Sequence, residues 1–135
     1  MGVAGAIMSN DVLFTKVKLF LQNFKECAEQ GKIDFSDVNA KMTRFLRTIG
    51  LNNKAMNAYI IENIDVKHYF RGPSEHHTLP NRTVTEFGMD WEGVKIYVKL
   101  ELILEDNHFV AGYLSFHPRE QIIQHFPLDK KGEVI

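Results

Sequence analysis

Between Asp11 and Gln30 the apolar residues Leu13, Val17, Phe20, Phe24 and Cys27 recur at helical spacing, with Phe14, Leu21 and Ala28 beside them. Gly31 follows as the natural left-handed stop. A second helix is expected after Ser36 as its cap, burying Val38, Met42, Phe45, Leu46 and Ile49 and ending at Gly50. Asn52 or Asn53 opens a short third helix through Met56, Tyr59 and Ile60.

After Ile64 the period changes. From Arg71 to Arg82 the chain holds Gly72, Pro73, Ser74, Pro80 and Asn81 with almost nothing apolar, which reads as a long loop. Val94, Ile96, Val98, Leu100, Leu102 and Leu104 then alternate with Lys95, Tyr97, Lys99, Glu101, Ile103 and Glu105, the pattern of a strand with one wet face. Asp106-Asn107-His108 is turn chemistry. In the strand after it, Val110, Gly112, Leu114 and Phe116 share one parity, and Ala111, Tyr113, Ser115 and His117 the other. Facing residues must share a face, so the numbers of each pair must sum to an even number, which a three-residue loop at Asp106 to His108 satisfies. That register pairs Glu105 with Phe109 and Tyr97 with His117. Thr83 to Met89, followed by a Glu92-Gly93 turn, adds a neighbouring antiparallel strand.

Helices first and strands second predict one α+β domain: N-terminal helices on one face of an antiparallel β-meander. The parts are a helical region over 11–64, a sheet over 83–117 and a tail over 118–135, with 1–10 read as a frayed end. The other sheet face would carry Lys95, Tyr97, Lys99, Ser115 and His117.

Composition narrows the class. The chain has 135 residues, 16 Lys+Arg against 17 Asp+Glu, and 44% hydrophobic residues, a globular profile that excludes collagen, coiled coil and disordered tail. No apolar run approaches the ~20 residues of a membrane span, and the first residues lack a signal peptide's basic start. The single cysteine, Cys27, lies on the helical core stripe and cannot form an internal disulfide, so a cytoplasmic location is the default expectation. Basic residues exceed acidic ones by 8 to 6 through Ile64, and acidic exceed basic by 11 to 8 beyond it. Any binding to RNA must therefore rest on a local cluster rather than on global charge.

The polar sheet face offers such a cluster. A phenol, two ammonium groups, a hydroxyl and an imidazole on neighbouring strands are the parts for cleaving RNA without a metal or other cofactor. A base takes the 2′-hydroxyl proton, cations stabilise the phosphorane, and an acid protonates the leaving 5′-oxygen. Crowded lysines would hold Tyr97 closer to ionisation. The same pattern also fits an ordinary solvated face, or a non-catalytic module that docks a protein there. His76, His77 and His108 with His117 could be imagined as metal ligands, but no zinc-ligand spacing supports them.

Tyr69-Phe70-Arg71-Gly72-Pro73, Gly93-Val94-Lys95-Ile96-Tyr97-Val98-Lys99-Leu100, Ser115-Phe116-His117-Pro118 and Phe126-Pro127 form an ordered set. In order and spacing it resembles the MqsR family of toxins, in the RelE-like group of bacterial toxin–antitoxin ribonucleases, from about Ile49 to Pro127. The resemblance implies a RelE-like fold, cleavage of mRNA without a cofactor, neutralisation by a cognate antitoxin protein, and the ribosome as a further candidate partner. Carried over by position, it implies Tyr97, Lys99 and His117 as catalytic residues, His117 standing where the best-known member has lysine. Arg71, also a lysine there, becomes a phosphate clamp, since a guanidinium is no acid or base near neutral pH. Arg119 and Lys95 extend the basic cluster. The family's glutamine before the central strand has no clear equivalent, and Glu86 is the nearest candidate.

Overall fold

The structure, a computed structural model, describes residues 2–76 and 78–129, with side chains from residue 11 onward. Helix α1 spans Gly2–Glu29 and buries Val17, Phe20, Leu21, Phe24, Cys27 and Ala28, the stripe its spacing predicts. Gly31, at φ 76°, ends it. Helix α2 (Ala40–Ile49) buries Met42 and Leu46 and stops at the left-handed Gly50. Helix α3 (Asn53–Asn63) is capped by Asn52, whose side chain accepts from the Ala55 amide at 2.8 Å.

The α2 cap is Asn39, not Ser36. The Asn39 side-chain oxygen accepts from the Met42 amide at 2.8 Å, while the Ser36 hydroxyl donates to Asp34 at 2.5 Å. Asn39 fits better because its Nδ2 also donates to Ser115 Oγ at 2.7 Å, tying the helix start to the sheet.

Five strands form one mixed sheet in the order β1-β5-β4-β3-β2: β1 Ile33–Asp34, β2 Tyr69–Glu75, β3 Arg82–Trp91, β4 Val94–Glu105 and β5 His108–Pro118. The last three make the expected antiparallel meander, and β2 extends it by an antiparallel strand that the sequence reading did not include. Strand β1 was not expected and pairs in parallel with β5, Ile33 against Ala111, so the sheet is not purely antiparallel. Nor is Arg71 to Arg82 all loop. Its first part belongs to β2, an edge strand with register shifts on either side of Arg71 that accommodate Gly72 and Pro73. Gly72 sits at φ 101°, and a Cβ there would lie 2.7 Å from the Val84 carbonyl oxygen.

The β4–β5 hairpin also differs from its expected form. Asp106 and Asn107, at φ 48° and 64°, make a two-residue loop, and Glu105 faces His108 rather than Phe109. That register would set Tyr97 against Phe116. Instead Lys99 pairs with Ser115 while Leu100 pairs with Tyr113, so Leu114 bulges out and the register advances by one. Beyond the bulge Tyr97 faces His117. Before it the faces exchange: Ala111 and Tyr113, not Gly112 and Leu114, share the core with Phe116.

The core lies between the helices and one sheet face. Tyr113 meets Phe24 edge to face at 5.3 Å and stacks on Phe35 at 5.4 Å, and its hydroxyl donates to Asn57 Oδ1 at 2.5 Å. Cys27 is buried there and donates to the Phe109 carbonyl at 3.2 Å. Among the described residues no helix is long and apolar enough to cross a membrane.

Candidate functional site

Opposite the helices, the ladder sets Arg71, Glu86, Lys99 and Ser115 in one row across β2 to β5, and Gly88, Tyr97 and His117 in the next. Alternation on each strand turns these side chains away from the core. The face is not uniformly wet. At its far end Glu101 and Ile103 are buried, contrary to the expectation of a solvated row. At its near end the segment after β5 folds back over Gly88, where a Cβ would come within 2.9 Å of Ile123 and Phe126.

Between these covers a cleft of about 370 Å³ opens, lined by Phe70, Arg71, Tyr97, His117, Arg119 and residues 120–123. The Tyr97 and His117 rings lie 5.6 Å apart on one wall. Four of the residues singled out from sequence therefore meet here: Arg71, Tyr97, His117 and Arg119. Lys99 occupies the adjoining row without lining the cleft, and no described side chain partners its ammonium group. Lys95 stands apart. It is exposed, ion-paired with Asp90, and borders a neighbouring cavity with Lys67, His68 and Arg119.

Glu86 holds the centre of the cluster. It accepts the Tyr97 hydroxyl on one oxygen and Arg71 Nε, at 2.5 Å, on the other. Burial and the hydrogen bond to Glu86 push the Tyr97 phenol well above its ordinary range. This corrects the expectation that lysines bring it closer to ionisation: the nearest partner is an anion. The Arg71 guanidinium is driven further up by its bond to Glu86.

His117 is buried except for 5% of its surface, and its Nδ1 lies 2.9 Å from the Pro118 carbonyl oxygen. A carbonyl only accepts, so Nδ1 donates, and in the neutral ring Nε2 is the nitrogen that holds the lone pair. A neutral imidazole in this tautomer is equipped to accept a proton at Nε2. Glu120, at the cleft rim, is ion-paired with Lys41, which holds its carboxyl below the usual range.

A second polar cluster escaped the sequence reading. Glu101 Oε1 accepts from Arg82 Nη1 at 2.9 Å, and the same nitrogen reaches Asp37 at 2.5 Å. Burial pushes the Glu101 carboxyl up, partly offset by Arg82, and its Oε2 has no hydrogen-bond partner. A glutamate in an alternating strand reads as solvent-facing. Gly112 stands across from it, where a Cβ would lie 2.5 Å from the Glu101 side chain, but the expected register set Tyr113 there and hid the relationship.

Among the described residues no group of three or more His, Cys, Asp or Glu side chains is placed to hold a metal. His76 turns inward on its own loop, its Nδ1 accepting from the Thr78 and Leu79 amides at 3.2 and 3.1 Å, and His77 lies outside the described residues. No protein-family model, curated protein or solved structure matches the chain.

Proposed function

We propose that the protein is an endoribonuclease toxin of a toxin–antitoxin pair, cleaving mRNA by attack of its own 2′-hydroxyl. The observation that carries this reading is the cross-strand pair Tyr97 and His117 on the wall of a cleft that Arg71 and Arg119 also line. The ordered motifs shared with MqsR-like toxins, within the RelE-like group, support it from the sequence side.

In this account His117 Nε2 takes the 2′-hydroxyl proton, the 2′-oxygen bonds to phosphorus, and the bond to the 5′-oxygen breaks. The departing oxygen takes its proton from solvent. Arg71, Arg119 and Lys99 oppose the charge that grows on the phosphorane. Tyr97, kept protonated, holds Glu86 and packs against the imidazole, so it positions the base rather than acting as one. The products are a 2′,3′-cyclic phosphate and a 5′-hydroxyl.

Expression of the chain alone in a bacterial host tests the reading. Wild type arrests growth, and His117→Ala relieves the arrest at equal protein level. Equal toxicity of the two removes His117 from the mechanism.

A binding role has its own support. Val12 and Leu19, one heptad apart on α1, are 54% and 53% exposed, an unpartnered apolar pair suited to a protein such as an antitoxin. In the ribonuclease reading that face lies on the helical side and leaves the cleft's chemistry untouched. If wild type is harmless, a non-catalytic module that docks a protein becomes the better reading.

A further inference from the structure

The cleft has two unlike walls. Tyr97, His117, Arg71 and Arg119 bring donors and charge, while Phe70, Ile122 and Ile123 bring apolar surface. Ile122 is the most exposed large apolar side chain among the described residues, at 69%. The Phe70 ring is only half-buried, and the Arg71 guanidinium lies over it, its carbon 5.0 Å from the centroid, so this ring already stacks with a planar cation at the rim. Apolar surface left open beside cations matches neither a free anion nor an apolar ligand alone. It matches a flat, apolar ring carrying a negative group.

From this we infer that Phe70 and Ile122 form a slot for one unpaired nucleobase, stacked on the Phe70 ring, with the adjoining phosphate turned to Arg71 and Arg119. The carboxylate that lines the cleft, Glu120, is engaged by Lys41, and the one behind its wall, Glu86, by Arg71 and Tyr97, which lowers their repulsion of that phosphate. The Arg119 guanidinium has no side-chain partner among the described residues. A paired base cannot enter, because its faces are covered within the helix, so the slot selects single-stranded segments. The inference rests on the ribonuclease reading for the ligand being RNA, and Phe70 is in it a positioning residue that sets which phosphate meets His117.

The test uses a 2′-O-methyl oligoribonucleotide, which lacks the nucleophile, carrying 2-aminopurine, a base whose fluorescence falls on stacking. Wild type should bind and quench it. Phe70→Leu, which keeps apolar bulk without the π face, should weaken binding by about 5- to 150-fold, while Phe70→Trp should bind as wild type does. Absence of quenching by wild type, equal affinity of Phe70→Leu, or equal losses in both variants overturns the slot. Unmodified RNA separates the two proposals. Stacking without cleavage overturns the ribonuclease and leaves the slot standing; cleavage that Phe70→Leu leaves unchanged in KM and kcat does the reverse.

Discussion

Tyr97 lies directly across from His117 because one residue, Leu114, stands outside the β4–β5 ladder. The two-residue loop at Asp106 and Asn107 alone would have set Phe116 there and turned the imidazole into the core. The bulge is held from outside: the Leu114 carbonyl accepts the Asn39 amide at 3.0 Å, where α2 begins. Candidate chemistry on the sheet thus depends on the cap that starts α2.

Replacing Tyr97 by Phe separates positioning from proton transfer. With its phenol pushed up by burial and by Glu86, Tyr97 stays protonated across the neutral range. RNA cleavage by Tyr97→Phe should fall roughly 10- to 100-fold, within the span of one misplaced catalytic group. The shape of the pH–rate profile should not change. Loss of an alkaline or neutral limb would show that the phenol ionises in the reaction.

Glu86 and Arg71 share an ion pair, but their loss should not weigh equally. Arg71 is 66% exposed and Glu86 only 14%, so Arg71→Ala gives up a contact screened on the arginine side and leaves Glu86 its Tyr97 donor, a loss of about 1 kcal/mol. Glu86→Ala leaves the half-buried Tyr97 hydroxyl without its acceptor, at a cost of about 1–3 kcal/mol. Denaturant midpoints at constant slope measure both. Equal losses would contradict the central place given to Glu86.

At the start of α2 the comparison is between two nearby side chains. Asn39→Ala removes the cap on Met42 and the bond to Ser115, and should destabilise by about 1 kcal/mol or more. Ser36→Ala should stay within about 0.5 kcal/mol, as an exposed surface change does. Thermal unfolding of both variants decides it.

His68 makes stability depend on pH. Burial, then the nearby Lys67 ammonium, push its imidazole below the ordinary 6.5, against the smaller opposing pull of Asp65 and Asp129. Its Nδ1 accepts the Asp65 amide at 3.0 Å, a bond that protonation at that nitrogen would break. The contribution is therefore complete above the unfolded value of about 6.5 and is lost as pH falls through the folded one. His68→Gln keeps an acceptor without the titration, so its unfolding midpoint should fall less than wild type's between pH 7 and 5. Parallel curves would remove His68 from the acid response.

What the sequence disclosed followed from periodicity. The α1 stripe, the Gly31 and Gly50 stops, an asparagine start for α3 at Asn52 or Asn53 and the alternation in the first part of β4 each depend on neighbours close in the chain, and all were legible. Features set by distant partners were not. Strand β1 is two residues held by β5, far along the chain, and β2 looked like loop because an edge strand tolerates Gly72 and Pro73. The Tyr97–His117 pairing was expected from a three-residue loop that does not exist, and a bulge restored what the loop would have given. Glu86 remained the faintest candidate because its importance comes from meeting Tyr97 and Arg71, on two other strands.

The central claim is that this face cleaves RNA, and mapping the ends of cut RNA tests it most directly. Purified protein is incubated with mixed mRNA in the presence of chelator, with His117→Ala and Lys99→Ala alongside. The account predicts discrete cuts ending in 2′,3′-cyclic phosphate and 5′-hydroxyl, abolished by His117→Ala and strongly reduced by Lys99→Ala. No cleavage by wild type, with or without ribosomes, or cuts that survive in His117→Ala, would contradict it.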